Sequence, residues 1–230
     1  SKSDVCSFNE FIRVILMKKI LLLILMICTC SLQAQDMKSL FIAMPDSLAP
    51  LLTKVNKEDF GDFLASNMKA EVKNRLGKNS EMLKLTADYL NLKMSESSEV
   101  QMKLLPVNDS VNVVCVVHTY KGPAADSNIR FYNTQWEELP LSSYLTLPKE
   151  DAFYKAPVAE ADQETYYNLR KQADMYLFVA KLSEKDNTLL YSYTTPDYLD
   201  KDTAEKLKPF LNAEPLKYIW TGEGRFEATK

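Results

Sequence analysis

The run Val111–Tyr120, VNVVCVVHTY, constrains the fold more than any other stretch of the chain. Side chains alternate faces along a strand. A run that is apolar at nearly every position therefore has no face to offer water. It is bounded by Val107-Asn108-Asp109-Ser110 on one side and Gly122-Pro123 on the other, both turn signals. The sequence thus predicts a central strand buried on both faces. Around it the period is two: Leu90, Leu92 and Met94 alternate with Asn91 and Lys93, and Val100, Met102 and Leu104 with Gln101 and Lys103, which predicts half-buried strands. Ile129 and Phe131 begin a further strand running towards Trp136.

Helical period appears earlier. Phe60, Phe63, Leu64, Met68, Val72 and Leu76 recur on one face. Asn56-Lys57-Glu58-Asp59 resembles a capping box, and Gly77 sits where a left-handed C-cap would fall. These predict a helix over Glu58–Leu76. Met37–Leu52, broken by Pro45 and Pro50, reads as two short helical turns, with Asp46 or Ser47 near a start. Leu139–Asp174 is a proline- and charge-rich connector with one helix near Asp162–Gln172. Strands follow at Met175–Leu182 and Thr188–Thr194. A short helix capped by Asp200 or Asp202 runs through Leu207, and strands at Leu216–Trp220 and Arg225–Glu227 close the chain. The expected class is α+β, with N-terminal helices packed on antiparallel sheet, as one domain or as two similar lobes (35–138 and 139–230). A strand-turn-strand unit at 100–120 and again at 175–194 motivates the second option.

The N-terminal segment has a different logic. Met17-Lys18-Lys19 has the form of a charged n-region, Ile20–Cys28 of an apolar h-region, and Thr29–Ala34 of a polar c-region ending in a small residue. This order is that of a secretory signal peptide over 17–34, with cleavage expected between Ala34 and Gln35 and residues 1–16 lying upstream of it. The uncharged run Ile20–Leu32 is well short of the ~20 residues a spanning helix needs. An alternative is a lipoprotein anchored through Cys30, although Thr29 is a poor residue before a lipidated cysteine. The expected location is the periplasm or the exterior.

Export decides what the cysteines can do. Cys6, Cys28 and Cys30 precede the cleavage point, so the mature chain keeps Cys115 alone and cannot form an internal disulfide. Zinc-ribbon and thioredoxin readings fall with it. The whole chain carries 28 Lys+Arg against 31 Asp+Glu, a net charge of −3. No basic cluster supports a nucleic-acid partner. Scarce glycine (5 residues) argues against phosphate-cradling loops.

Several segments recur in a fixed order: Leu40–Ser47 (LFIAMPDS), Met68–Gly77 (MKAEVKNRLG), Asp88-Tyr89-Leu90, Lys103–Pro106 (KLLP), and Asp126-Ser127 through Phe131-Tyr132 to Trp136. Together they resemble a family of secreted Bacteroidetes proteins, domain of unknown function 3256. The resemblance covers most of the mature chain, best in its first half. It implies export in a Gram-negative host. It implies no activity, substrate or catalytic residue.

Candidate chemistry is sparse. Cys115 and His118 are the only thiol and imidazole of the mature chain. As a nucleophilic pair they fail on geometry, since three residues apart on a strand places them on opposite faces. Cys115 among valines reads as a core thiol. One histidine makes a transition-metal site improbable. No hydrolase, nucleotide or dinucleotide motif is present, and no cofactor is expected. The acid pairs Glu58/Asp59, Glu137/Glu138, Glu150/Asp151 and Asp200/Asp202 read as surface or helix N-terminal charges. Aromatics gather in the second half, and Tyr166, Tyr191, Tyr193 and Trp220 are the candidate ligand-binding residues, provided they form an exposed patch. The leading expectation is a non-enzymatic module that binds a ligand or a protein partner. A hydrolase using dispersed carboxylates and a structural subunit of an envelope assembly are the alternatives.

Overall fold

The computed structural model describes residues 17–19, one helical turn, and residues 36–229. The expected cleavage residues Ala34 and Gln35, and Cys30, lie outside the described residues. Among those described, no helix is long and apolar enough to cross a membrane.

The protein opens with two short helices, α1 (Met37–Ala43) and α2 (Lys54–Ala65). Asp36 caps α1 by accepting from the Ser39 N–H at 2.8 Å. The capping box of α2 is Thr53 with Asn56, three residues earlier than the sequence suggests. Its end differs more. Asn67 takes the left-handed conformation (φ 54°). The Met68 N–H bonds back to the Phe63 carbonyl at 2.8 Å, and that of Asn67 to Leu64 at 3.1 Å, the bond pair of a Schellman stop. The predicted helix over Glu58–Leu76 is therefore cut at Ala65. Val72 belongs to a strand, β1 (Glu71–Lys73), and Leu76 lies exposed in the turn after it. Gly77, at φ 68°, serves that β-turn and not a helix cap.

From β1 the chain folds into a seven-stranded antiparallel meander in sequence order. The remaining strands are β2 (Asn79–Leu85), β3 (Tyr89–Ser95), β4 (Ser98–Pro106), β5 (Asn112–Lys121), β6 (Ala125–Asn133) and β7 (Glu138–Leu139). The β4–β5 turn is held by the Asn108 carboxamide oxygen, which accepts from the Ser110 and Val111 N–H groups at 3.0 and 2.9 Å. As its composition predicts, β5 is interior to the sheet and buried on both faces over Val113–Val117, whereas its far end, predicted buried as well, opens at His118 and leaves Tyr120 exposed. Val113, Cys115 and Val117 enter one core, and Val114 and Val116 the other.

The Val114 face is covered by α1 and α2, through Met37, Leu40, Phe41 and Phe60, and the Val113 face by a second sheet. This second sheet is smaller, four-stranded and antiparallel: β8 (Phe178–Leu182), β9 (Thr188–Tyr193), β10 (Leu216–Trp220) and β11 (Phe226–Ala228). Helices α3 (Gln163–Gln172) and α4 (Lys201–Leu207) belong to the same layer. Asp200 caps α4 by accepting from the Thr203 N–H at 3.0 Å. The structure is α+β, with a large sheet between a helical layer and a second sheet. The two sheets share one core cluster, and the 138/139 division falls inside β7.

The second sheet changes the expected role of the polar positions on β4. Gln101 and Lys103 do not face solvent. Among the described residues the β8 edge strand has no strand neighbour on its outer side, and its N–H groups turn to side chains of the large sheet. Ala180 donates to Ser127 Oγ at 3.0 Å and Leu182 to Gln101 Oε1 at 2.9 Å. This satisfies backbone groups that would otherwise be buried unpaired. Lys103, only 1% exposed, reaches Asp88 Oδ2 at 2.9 Å from within this interface.

Candidate functional site

Pro45 and Pro50 prevent the helical period of α1 from continuing, so residues 44–53 cross to α2 as tight turns. Leu48 and Ala49 bond back to Pro45 and Asp46 at 3.0 and 3.2 Å. The connector is pinned from below. The Lys57 ammonium, 3% exposed, donates to the Met44 carbonyl and lies 3.7 Å from the Asp46 carboxylate. Asp46 also accepts from Arg75 at 2.8 Å, and the Arg75 N–H donates to the Leu51 carbonyl at 2.8 Å.

Beneath this strap the large sheet continues beyond the helices, leaving a groove of about 460 Å³. Strand alternation decides its floor. Met94 of β3, Val100 and Met102 of β4, Val116 of β5 and Tyr132 of β6 all point to the helical face. Met44, Ser47, Leu48 and Pro50 form the lip. Trp136 closes one end. Its indole N–H donates to the Leu40 carbonyl at 3.0 Å, and its ring lies 5.7 Å from that of Tyr132. Trp136 itself has φ 66°, a left-handed conformation unusual for a large residue.

The opposite end is polar: His118 and Tyr120 from β5, Asn128 and Arg130 from β6. His118 Nε2 is 2.7 Å from Ser98 Oγ, and its Nδ1 is 3.2 Å from the Tyr120 hydroxyl. The two rings stack at 4.2 Å. Partial burial lowers the His118 pKa from its ordinary value, so the ring is neutral at pH 7, donating through one nitrogen and accepting through the other. The Arg130 guanidinium donates to Asn128 Oδ1 at 3.2 Å and to Glu138 Oε2 at 3.3 Å. Among the lining residues Arg130 is the cation and none is a carboxylate. An apolar trough with a few convergent polar groups at one end is the usual form of a small-molecule site.

Cys115 and His118 lie on opposite faces of β5, as alternation requires. Cys115 is fully buried in the inter-sheet core, and burial pushes its thiol pKa well up, away from nucleophilic use.

The second-half aromatics sit elsewhere, against the inter-sheet core. Tyr166 and Tyr193 join one polar-aromatic cluster. The Tyr193 hydroxyl donates to Glu150 Oε1 at 2.6 Å and lies 2.9 Å from the Tyr154 hydroxyl. Arg170 donates to the Tyr166 hydroxyl at 2.6 Å and to Asp151 at 2.8 Å, while stacking over Tyr154 at 4.0 Å. The Trp220 indole donates to the Pro106 carbonyl at 2.6 Å and packs edge-on to Phe226 at 5.0 Å. Tyr191 is fully buried. Tyr166, Tyr193 and Trp220 are half-buried, so the four share no exposed patch.

Tyr191 carries its own prediction. Its ring lies between Phe178 (5.4 Å) and Tyr218 (5.1 Å), and its buried hydroxyl has no hydrogen-bond partner among the described residues. Burial accordingly pushes its pKa far up. Tyr191→Phe removes only that unpaired group and is expected to raise stability by about 1 kcal/mol in urea denaturation. A loss of similar size would show that the hydroxyl has a partner.

The sequence matches, over residues 29–226, the family described as a protein of unknown function, DUF3256. Among solved structures it is similar to a domain of an uncharacterized protein from Porphyromonas gingivalis W83. The two are 28% identical, with a TM-score of 0.75, over 85% of this chain and 98% of the other. Comparison with the curated proteins finds no match.

Proposed function

The chain belongs to the DUF3256 family of proteins of unknown function, and from that premise we propose that it is an exported envelope protein that binds a small, largely apolar molecule in the groove beneath the 44–50 strap. One observation carries the reading: an open apolar trough, floored by interior strands and fixed at its lip by buried Lys57, ends in the convergent polar groups of His118, Tyr120, Asn128 and Arg130. A rigid floor costs little ordering on binding, which favours recognition. Export to the periplasm or exterior rests on the three-part pattern of Met17–Ala34.

A hydrolase acting through dispersed carboxylates has less support. No carboxylate lines the groove, and Glu150 and Asp151 are both drawn to Arg170, at 3.4 and 2.8 Å.

Native mass spectrometry of protein purified from its own host tests both halves of the proposal. The expected species is a chain beginning at Gln35 that carries a dissociable small-molecule adduct. Ser47→Trp, which places an indole at the exposed lip, is expected to remove the adduct without unfolding the protein. Retention of the adduct in that variant would move the site elsewhere. A diacylglycerol mass on Cys30 would replace simple cleavage by lipid anchoring.

A further inference from the structure

We propose that the groove's ligand is a monocarboxylate with a flexible apolar chain, whose carboxylate is held by Arg130 and whose binding draws a proton onto His118. The inference rests on the groove reading above and names the ligand class for it.

The floor of the groove suits a flexible apolar chain. Met44, Met94 and Met102 line the trough together with Val100 and Val116. Unbranched, polarizable methionines adapt to a chain of variable path better than to a rigid ring, which a stiffer wall would select. The polar end suits a carboxylate head. Arg130 supplies a planar fork suited to a carboxylate. Its present ion pair with Glu138 is a rim contact between half-exposed side chains at 3.3 Å, and such pairs contribute little, so exchange for a ligand carboxylate is cheap. A single guanidinium, already shared with Glu138, balances one negative charge and not two. Asn128 and Tyr120 offer neutral donors beside it.

The proton follows from the surroundings of His118. Tyr120 lies on its own strand, Ser98 on β4, and Asn128 and Arg130 on β6; of the neighbouring carboxylates, Asp126 of β6 accepts from the Phe178 N–H of β8 at 3.4 Å and Glu138 of β7 pairs with Arg130 at 3.3 Å. The strap contributes Ser47 to the lining. No group lining the groove offers a negative charge to an imidazolium, and partial burial keeps the free ring below its ordinary pKa. A ligand carboxylate supplies that charge and raises the pKa in the complex. Between the two values binding takes up a proton. Affinity therefore rises as pH falls through the pKa of the complex, by at most tenfold per unit, and levels off below that of the free protein.

Calorimetric titration with octanoate and its neutral isostere octanamide tests this, in two buffers of different ionisation enthalpy near pH 6.5. Octanoate is expected to bind about ten- to a hundredfold more tightly than octanamide, with a fractional proton taken up. Arg130→Gln should remove most of the preference for the anion, and Arg130→Gln with His118→Gln all of it. His118→Gln should leave octanoate binding but abolish proton uptake and the pH dependence. Equal binding of octanoate and octanamide, or uptake that persists in His118→Gln, overturns this inference and leaves the groove reading standing. If neither probe binds, both fail.

Discussion

Trp136→Ala is expected to cost about 3–5 kcal/mol of stability and to abolish ligand retention in the groove. The residue is 8% exposed and joins three parts of the helical face. Its ring packs against Tyr132, its indole holds the C-terminal part of α1 through the Leu40 carbonyl, and its outer edge closes the groove. Truncation leaves a cavity, frees a buried carbonyl and opens one end of the site. The left-handed backbone at φ 66° gives alanine no relief, because its Cβ meets the same conflict. Trp136→Phe separates the effects. It keeps most of the packing and loses the indole bond, for an expected cost nearer 1 kcal/mol. Urea unfolding of the two variants checks the ratio. Equal losses would mean that the bond to Leu40 is what matters and that packing is minor.

Phe131→Ala is expected to destabilise by a similar ~3–5 kcal/mol while leaving groove affinity unchanged in the folded fraction. Phe131 is the next-but-one neighbour of Asn133 on β6 and faces the opposite side of the sheet from Arg130 and Tyr132. It is fully buried, stacked on Tyr144 at 5.0 Å and close to Trp220 and Phe226, both at 6.4 Å. These rings come from four separate segments, so the loss falls on the contact between the sheets. Measured against the 5–15 kcal/mol typical of a domain, it is a large share of the total. Affinity measured at a temperature where the variant is still folded tests the separation of faces. A parallel loss of binding would show that the two faces are coupled.

The contrast between these residues also explains how much could be read from the sequence. The core of β5 is legible because Val113–Val117 has no polar position to offer water, while the opening of its far end at His118 and Tyr120 is not. The Asn108 turn, the helix over 163–172 and the Asp200 cap were legible because each is a local signal. The end of α2 was not. Val72 and Leu76 continue the helical spacing of Phe60 and Phe63 by coincidence, and the stop is set by Asn67 in a conformation that glycine would have advertised more clearly. β2 was missed because NSEMLKL, with Ser80 and Met82 as its buried positions, has a weak alternation. The inward role of Gln101 and Lys103 depends on a second sheet joined some 80 residues later in the chain. The groove is the hardest case. Its residues come from the strap, four strands and the turn at Trp136, and only the register of the sheet brings them together. The one available signal was local: His118, Tyr120, Asn128 and Arg130 are polar positions on a face that is otherwise apolar.

The groove is tested most directly by NMR with methyl-labelled methionine during titration with octanoate. Met44, Met94 and Met102 line it, whereas Met37, Met68, Met82 and Met175 do not. The account predicts saturable shifts confined to the first three, lost in Ser47→Trp. Shifts at Met175, next in sequence to Tyr176, whose ring lies 6.4 Å from that of Tyr193, or no shifts at all, would contradict it.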